Sequence, residues 1–173
     1  MKFGRAIAWE DVLETWRKTP GANIPNPDVW QAIPSGSVWF ECEIEASDVE
    51  QMHVIGSDDW TEIFGSFTLL DIAHHPRRTS DPYRHIDKIE GITNAYSAGS
   101  KLQPPILTAD SGHGPFVIIE GNHRCIALLR LDKLVGSRVF LGCHPRMASD
   151  FIWFRSVALQ AKRNARHAQK TGA

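Results

Sequence analysis

Residues 101–131 read KLQPPILTADSGHGPFVIIEGNHRCIALLRL, and this stretch carries the clearest structural signal in the chain. Residues 116–120 form a continuous apolar run that ends in an acid, which predicts a strand buried on both faces. Segment 104–108 opens with two prolines, as suits a short strand at its first residue or at a sheet edge. A tight turn at residues 121–124 then leads into an apolar helix from Cys125 to Leu131.

The turn after the buried strand combines residue types that suit a phosphate group. Gly121 lets the backbone turn sharply and approach a ligand closely. A helix N-terminus offers free N–H groups and a partial positive charge, to which Arg124 and His123 add donors. Glu120, at the strand end, is placed to hold Mg²⁺ or to accept a proton. The turn therefore predicts a nucleotide or phosphate site, and the alternative is a buried Glu120–Arg124 pair that fastens the strand to the helix.

Hydrophobic periodicity predicts the elements on either side of this stretch. Residues 38–45 alternate, with Val38, Phe40, Cys42 and Ile44 on one face, and with Trp39 and three glutamates on a solvated face. The other predicted elements are helices at 9–19, from Asp58 or Asp59 to near Gly65, at 81–99 opened by Asp81-Pro82, and at 150–167 capped by Ser149, and strands at 67–73 and 138–141. We therefore expect an α/β fold in which helices surround a small mixed sheet.

Segment 101–131 resembles the core of the ParB/sulfiredoxin superfamily, which includes the ParB-like nuclease domain. That family's pattern is a helix ending in glycine, a QPI strand, a turn, an apolar strand and a glycine-x-[His/Arg]-Arg turn into a helix. The resemblance covers about residues 67–145, and its most specific part is Glu120-Gly121-Asn122-His123-Arg124. It implies a ParB/sulfiredoxin-like core at 61–148, with 1–60 as an acidic N-terminal elaboration of the same domain and 149–173 as a C-terminal helix with a basic end.

Members of this superfamily differ in activity, and position 122 separates several branches. Sulfiredoxins carry an attacking cysteine there, so Asn122 argues against sulfinic-acid reduction in this chain. ParB partition proteins carry glutamate beside two arginines and bind CTP, a pattern from which Asn122 and His123 depart. Free-serine kinases of the superfamily carry an acid just before the glycine, as Glu120 does. Plasmid fertility-inhibition (oncogenic-suppression) proteins are single domains of similar size, and resemblance to them implies ATP hydrolysis and DNA cleavage.

The leading interpretation is a nucleotide-dependent phosphotransfer enzyme, an ATPase with metal-dependent DNA nuclease activity, whose ligands are ATP or CTP and Mg²⁺. Two alternatives stay open: a catalytically silent ParB-like protein that inhibits a protein partner through its acidic N-terminal surface, and a small-molecule kinase of the serine type. The expected catalytic residues are Glu120 and His123, the expected phosphate-binding residues are Gly121, Asn122, His123, Arg124, Arg77 and Arg78, and the expected metal ligands are Glu120 and Asp71.

Each of the more distant assignments has a simpler alternative. Arg77 and Arg78 follow His75-Pro76, where ParB proteins carry a Pro-Arg box, but an exposed basic loop without function explains them equally well. For Asp71 the alternative is a capping or turn-bonding role.

Charge is distributed unevenly along the chain, although the net charge is only −1. Residues 1–60 carry 4 basic against 11 acidic side chains, whereas residues 61–173 carry 15 against 9. An anionic partner would therefore meet the second part of the chain first. The basic C-terminal end is a candidate DNA contact through its phosphates, and a solvated helix end is the alternative; its cationic residues are Lys162, Arg163, Arg166 and Lys170.

Composition excludes several classes of protein. A chain of 173 residues with 42% hydrophobic and 23% charged residues is typical of a globular domain and not of a disordered one. No apolar run approaches the ~18 residues that a membrane span needs, and the first residues lack the apolar core of a signal peptide. The three cysteines form neither a zinc pattern nor a disulfide framework, which suits the reducing cytoplasm.

Overall fold

The computed structural model describes residues 1–17, 27–74, 80–155 and 157. Their centre is one six-stranded mixed sheet with the strand order β1-β2-β6-β4-β5-β3. Residues 1–60 contribute three of the six strands. The strands are β1 (Lys2–Ile7), β2 (Val38–Glu43), β3 (Met52–Val54), β4 (Ile106–Ala109), β5 (Phe116–Glu120) and β6 (Arg138–Cys143).

Helices lie around this sheet, and the described residues contain eight named ones, of which half are a single turn or little more. Residues 152–155 and 157 are helical as well. None of the helices in these described ranges is both long enough and apolar enough to cross a membrane. The helices are α1 (Trp9–Arg17), α2 (Pro27–Trp30), α3 (Ala46–Val49), α4 (Asp58–Phe64), α5 (Leu69–His74), α6 (His85–Ser97), α7 (Asn122–Arg130) and α8 (Met147–Asp150).

The predicted mixed α/β class is confirmed, and the strand β5 has the predicted bounds. Its alternate side chains enter two different cores: Phe116 and Ile118 pack into one, and Val117 and Ile119 into the other. Burial on both faces is the reason that this strand reads as an unbroken apolar run. The first core lies against α4, α5, α6 and α7, and the second lies against α1, α8 and the helical residues from 152.

Strand directions determine where the loops meet. β3 pairs with β5 in parallel, and the register joins Val54 to Ile118. The carboxyl ends of these two strands therefore lie at the same edge of the sheet. The segment after β3 and the turn after β5 meet at that edge, where the Ile55 N–H donates to Oδ1 of Asn122 over 3.0 Å.

The strand predicted at 67–73 is wrong, because this segment forms α5, preceded only by an isolated bridge at Thr68. Its buried residues Leu69, Ile72 and Ala73 have helical spacing, which favours one buried helix face. The Oγ of Ser66 accepts the Thr68 N–H over 3.0 Å, and this side-chain contact helps the chain to begin the helix.

The solvated face predicted for β2 is wrong at Trp39, which is only 4% exposed. The Trp39 ring stacks on Trp9 of α1, with 4.4 Å between ring centroids, so α1 covers this face. The opposite face holds the buried Cys42 as predicted, while Val38, at the strand start, is 53% exposed.

Three helix boundaries also differ from the sequence predictions. α6 begins at His85 rather than at Asp81: its N-cap residue is Arg84, and Asp81, in the preceding turn, accepts the Ile86 N–H at Oδ2 over 2.7 Å. α7 begins at Asn122, inside the predicted turn. Ser149 does not cap a last helix, since it lies within α8 and donates to the carbonyl of Arg146. Of the helix predicted at 150–167, residues 156 and 158–167 lie outside the described residues.

Candidate functional site

The turn between β5 and α7 depends on a glycine. Gly121 has a φ of 89°, in the left-handed region that other residues adopt at a cost. A Cβ placed on Gly121 would lie 2.7 Å from Nη2 of Arg124 and 3.1 Å from Cβ of Pro105. The glycine therefore makes room for the guanidinium of Arg124, which folds back over the turn.

Glu120 and Arg124 form an ion pair across this turn. Nη2 of Arg124 donates to Oε1 of Glu120 over 3.1 Å, and the side chains of Arg124 and Glu120 are 14% and 35% exposed. Burial raises the pKa of Glu120, and the charge of Arg124 offsets only part of that effect. Nε of Arg124 is buried without a hydrogen-bond partner among the described residues. The pair that the sequence left as an alternative is thus formed, with one strong donor of Arg124 unsatisfied.

Asn122 has a structural contact rather than a free side chain. Its Oδ1 is the acceptor for the Ile55 N–H, as described above, and the contact links residues 67 positions apart. The bond occupies only the amide oxygen, whereas a phosphate would take a donor such as Nδ2 or the backbone N–H, so the phosphate-binding role of Asn122 stays a prediction. Asn122 also holds the start of α7 against the segment that follows β3.

His123 belongs to a chain of three polar side chains that the sequence analysis did not bring together. Its Nε2 lies 2.9 Å from Nδ1 of His85, and Nε2 of His85 lies 3.1 Å from Oδ2 of Asp59. The second contact is an electrostatic one, since it does not count as a hydrogen bond of Nε2. We call Asp59, His85 and His123 the histidine relay.

Stacking on Trp60 fixes the ring of His85, and a hydrogen bond from Ser57 fixes the carboxylate of Asp59. His85 is only 3% exposed, and its ring stacks on Trp60 with 4.2 Å between centroids and 19° between planes. Asp59 accepts a short hydrogen bond from the hydroxyl of Ser57. Burial raises the pKa of Asp59, but its contacts with His85 and Ser57 outweigh burial and hold the pKa below its ordinary value. Asp59 is therefore ionised at neutral pH.

Each member of the histidine relay lies in the first turn of a helix. Asp59 is in α4, His85 begins α6 and His123 follows the first residue of α7. Sequence reasoning named Asp59 only as a possible cap and did not single out His85. No local motif could have found them, because His85 and His123 are 38 residues apart and only tertiary packing brings the three helices together.

The position of the carboxylate sets the proton positions along the histidine relay. Oδ2 of the ionised Asp59 lies 3.1 Å from Nε2 of His85, and its charge favours the tautomer of His85 that carries the proton on Nε2. Nδ1 of His85 is then an acceptor, so Nε2 of His123 donates to it. Nδ1 of His123 is left with a lone pair, and no described side chain or backbone group bonds it. His123 therefore presents a basic nitrogen beside the turn.

The basic nitrogen of His123 is unprotonated at neutral pH. Burial lowers the pKa of His123 to about 4, and the neighbouring His85 contributes in the same direction. The neighbouring charge of Asp59 acts against this shift and raises the pKa. A bound anion beside the ring would raise it further, because an opposite charge favours the protonated form.

Folding stability is expected to fall between about pH 6.5 and pH 4. Burial lowers the pKa of His53 to about 4, as it does for His123, so the unfolded chain takes up protons first as the pH falls. Each of the two histidines lowers the free energy of unfolding by about 3 kcal/mol at most, because its pKa falls from 6.5 to about 4 on folding and each pKa unit corresponds to about 1.36 kcal/mol. Urea unfolding at pH 7 and pH 4.5 measures the loss, which His53→Gln should reduce and His113→Gln, at an exposed histidine, should leave in place. An equal loss in His53→Gln would contradict this account.

Of the remaining predicted site residues, the structure describes only Asp71. The hydroxyl of Ser66 donates to Asp71 over 2.8 Å, and Asp71 is exposed on α5, which fits the turn-bonding alternative. Within the described ranges, no group of three or more His, Cys, Asp or Glu side chains is arranged to hold a metal ion. Arg77, Arg78, Lys162, Arg163, Arg166 and Lys170 lie outside the described residues.

A cavity of about 300 Å³ lies elsewhere, over β1, β2 and β6, and none of its lining residues belongs to the histidine relay. Arg5 and Arg138 both donate to Glu41 there, over 3.2 Å and 2.9 Å. Burial raises the pKa of Glu41, but these two hydrogen bonds outweigh it and lower the pKa. Ion pairs join the three cations of this cavity to its two carboxylates, so the histidine relay is the better candidate for chemistry; the residues are Lys2, Arg5, Arg138, Glu41 and Glu43.

Comparison of the chain with protein-family models, with curated proteins and with solved structures found no match.

Proposed function

We propose that this chain is a nucleotide-binding phosphotransfer enzyme that hydrolyses nucleoside triphosphates, with ATP or CTP as substrate. The observation that carries the proposal is the histidine relay, which supplies a neutral base at the first turn of α7. The same turn offers backbone donors for a phosphate group: the Cys125 N–H bonds the Gly121 carbonyl, and the N–H groups of the three preceding residues have no intrahelical acceptor.

His123 is the proposed general base. Its Nδ1 takes a proton from the attacking water while its Nε2 proton passes to Nδ1 of His85. The positive charge then lies on His85, beside the ionised Asp59. Asp59 and His85 act as positioning residues, because they fix the orientation and the proton positions of His123 without touching the substrate.

Arg124 is the proposed phosphate ligand. In phosphoryl transfer the protein mainly positions groups and neutralises charge. The guanidinium would exchange its contact with Glu120 for phosphate oxygens, which also satisfies the unpartnered Nε. The amides of the α7 N-terminus would neutralise further charge on the transferred group.

Mg²⁺ fits this turn only when it binds together with the phosphates of the substrate. The described residues form no protein cage for a metal ion, but Mg²⁺ commonly uses one or two carboxylates together with substrate phosphates. Glu120 is the carboxylate that would hold it after Arg124 turns to the phosphates. When bound, the ion would neutralise charge on the phosphate oxygens.

The same base would also activate water against a DNA phosphodiester, so DNA nuclease activity belongs to this proposal. The ion pair between Glu120 and Arg124 favours a second candidate, a catalytically silent binding protein, because it occupies the groups that catalysis needs. Turnover is the property that separates the two.

The proposal predicts phosphate release from ATP or CTP with Mg²⁺, and nicking of supercoiled plasmid DNA with the same ion. His113→Gln is a suitable control, because His113 is exposed and lies outside the histidine relay, and it should match the wild type. A folded protein that releases no phosphate and nicks no DNA would leave the silent binding protein as the better account.

A further inference from the structure

We propose that the ligand of this site carries an aromatic base, and that the base stacks on the exposed ring of Tyr83. This inference rests on the proposed function and goes beyond it by assigning a specificity-determining residue. It concerns the part of the ligand that is remote from the reacting phosphate.

Tyr83 is the outermost of three neighbouring rings, Tyr83, His85 and His123, and the innermost of them is the proposed general base His123. Its ring is 5.7 Å from the His85 ring and 42% exposed, and the His85 ring is 5.1 Å from that of His123. The Tyr83 ring therefore lies no farther from His123 than these two distances together. That span is comparable with the reach of a nucleoside from its base to its phosphates.

One hydrogen bond holds the side chain of Tyr83, and another holds the turn in which Tyr83 lies. Its hydroxyl donates to Oε2 of Glu62 in α4 over 3.1 Å. The turn that carries it is held by Asp81, whose carboxylate accepts the Ile86 N–H over 2.7 Å. A ring that is already fixed loses little freedom when a ligand stacks on it.

The chemistry of stacking determines which ligands are favoured. Every nucleobase has a π face, so stacking adds affinity without distinguishing strongly among bases. Tyr83 should therefore favour nucleotides over inorganic triphosphate, while ATP and CTP should bind with similar affinity. The hydroxyl contact with Glu62 positions the ring but is not itself the ligand contact.

Isothermal titration of the full chain with ATP, CTP and inorganic triphosphate, each with Mg²⁺, tests the inference. Tyr83→Leu removes the ring, whereas Tyr83→Phe keeps the ring and removes only the hydroxyl. We expect Tyr83→Leu to weaken ATP and CTP binding by about 10-fold, within the range measured for base stacking, and to leave triphosphate binding unchanged. Tyr83→Phe should bind all three ligands nearly as the wild type does.

Three results would overturn the inference, and they can be told apart. Unchanged ATP affinity in a folded Tyr83→Leu variant removes the stacking role and leaves the phosphate site standing. Equal losses for ATP and for inorganic triphosphate would mean that Tyr83 only supports the fold of the site. If the wild type binds none of ATP, CTP and inorganic triphosphate, both the proposed function and this inference are wrong.

Discussion

Replacing His123 with glutamine is expected to lower phosphate release from ATP by about 100- to 10,000-fold, the usual contribution of a general base. The glutamine amide can still donate to Nδ1 of His85, so the packing around Trp60 should persist. It cannot accept a proton at the position of Nδ1, and the water loses its base. The measurement is single-turnover phosphate release at saturating ATP and Mg²⁺.

Two further measurements separate loss of the base from loss of binding and from loss of folding. ATP affinity of His123→Gln should stay near that of the wild type, since Arg124 and the α7 amides are retained. Thermal unfolding should show a folded variant, and His113→Gln should keep full activity. Wild-type turnover by a folded His123→Gln protein would exclude His123 as the base.

Replacing Arg124 with alanine is expected to weaken ATP binding by about 100-fold. Hydrogen bonds to charged groups contribute about 1.5–3 kcal/mol each, and a guanidinium can make two to one phosphate, but the bond to Glu120 that Arg124 gives up offsets part of this gain. Inorganic triphosphate should lose as much affinity as ATP, because the contact is with the phosphates. Isothermal titration with both ligands measures the two losses.

A matched double variant separates phosphate contact from a side effect of the substitution. Arg124→Ala alone leaves Glu120 unpaired, and its charge would repel a phosphate. Glu120→Gln combined with Arg124→Ala removes that repulsion, and we expect the loss of affinity to persist relative to Glu120→Gln. Full recovery of affinity in the double variant would show that Arg124 only neutralises Glu120.

The central strand β5 could be predicted from the sequence, because a strand that is buried on both faces has apolar residues at consecutive positions. β5 reads as an unbroken apolar run, and Gly121 marks the turn that follows it. β1 has no apolar pattern that predicts a strand, since nearly all of its residues are exposed and only its pairing with β2 makes it a strand. Segment 67–73 was mistaken for a strand because a short apolar run does not show its period.

The candidate site could be predicted only in its local part. Glu120, Gly121, His123 and Arg124 are adjacent in sequence, so one turn reveals them. Asp59 and His85 come from other helices. The parallel pairing of β3 with β5 brings the start of α4 to the start of α7, whereas His85 arrives through the packing of α6 against α7. Reasoning from sequence also could not decide whether Glu120 and Arg124 bind each other, because that depends on burial and on the fold of the guanidinium over Gly121.

The central claim is that the histidine relay makes Nδ1 of His123 the catalytic base, and the pH dependence of kcat/KM in Asp59→Asn tests it most directly. This parameter reports the pKa of the free enzyme's base, about 4 for His123. Because the charge of Asp59 raises that pKa, its removal should lower kcat/KM and move the acid limb to lower pH. Circular dichroism at each pH separates the limb from acid unfolding. A lower rate with an unmoved limb, or an unchanged profile, would contradict the histidine relay.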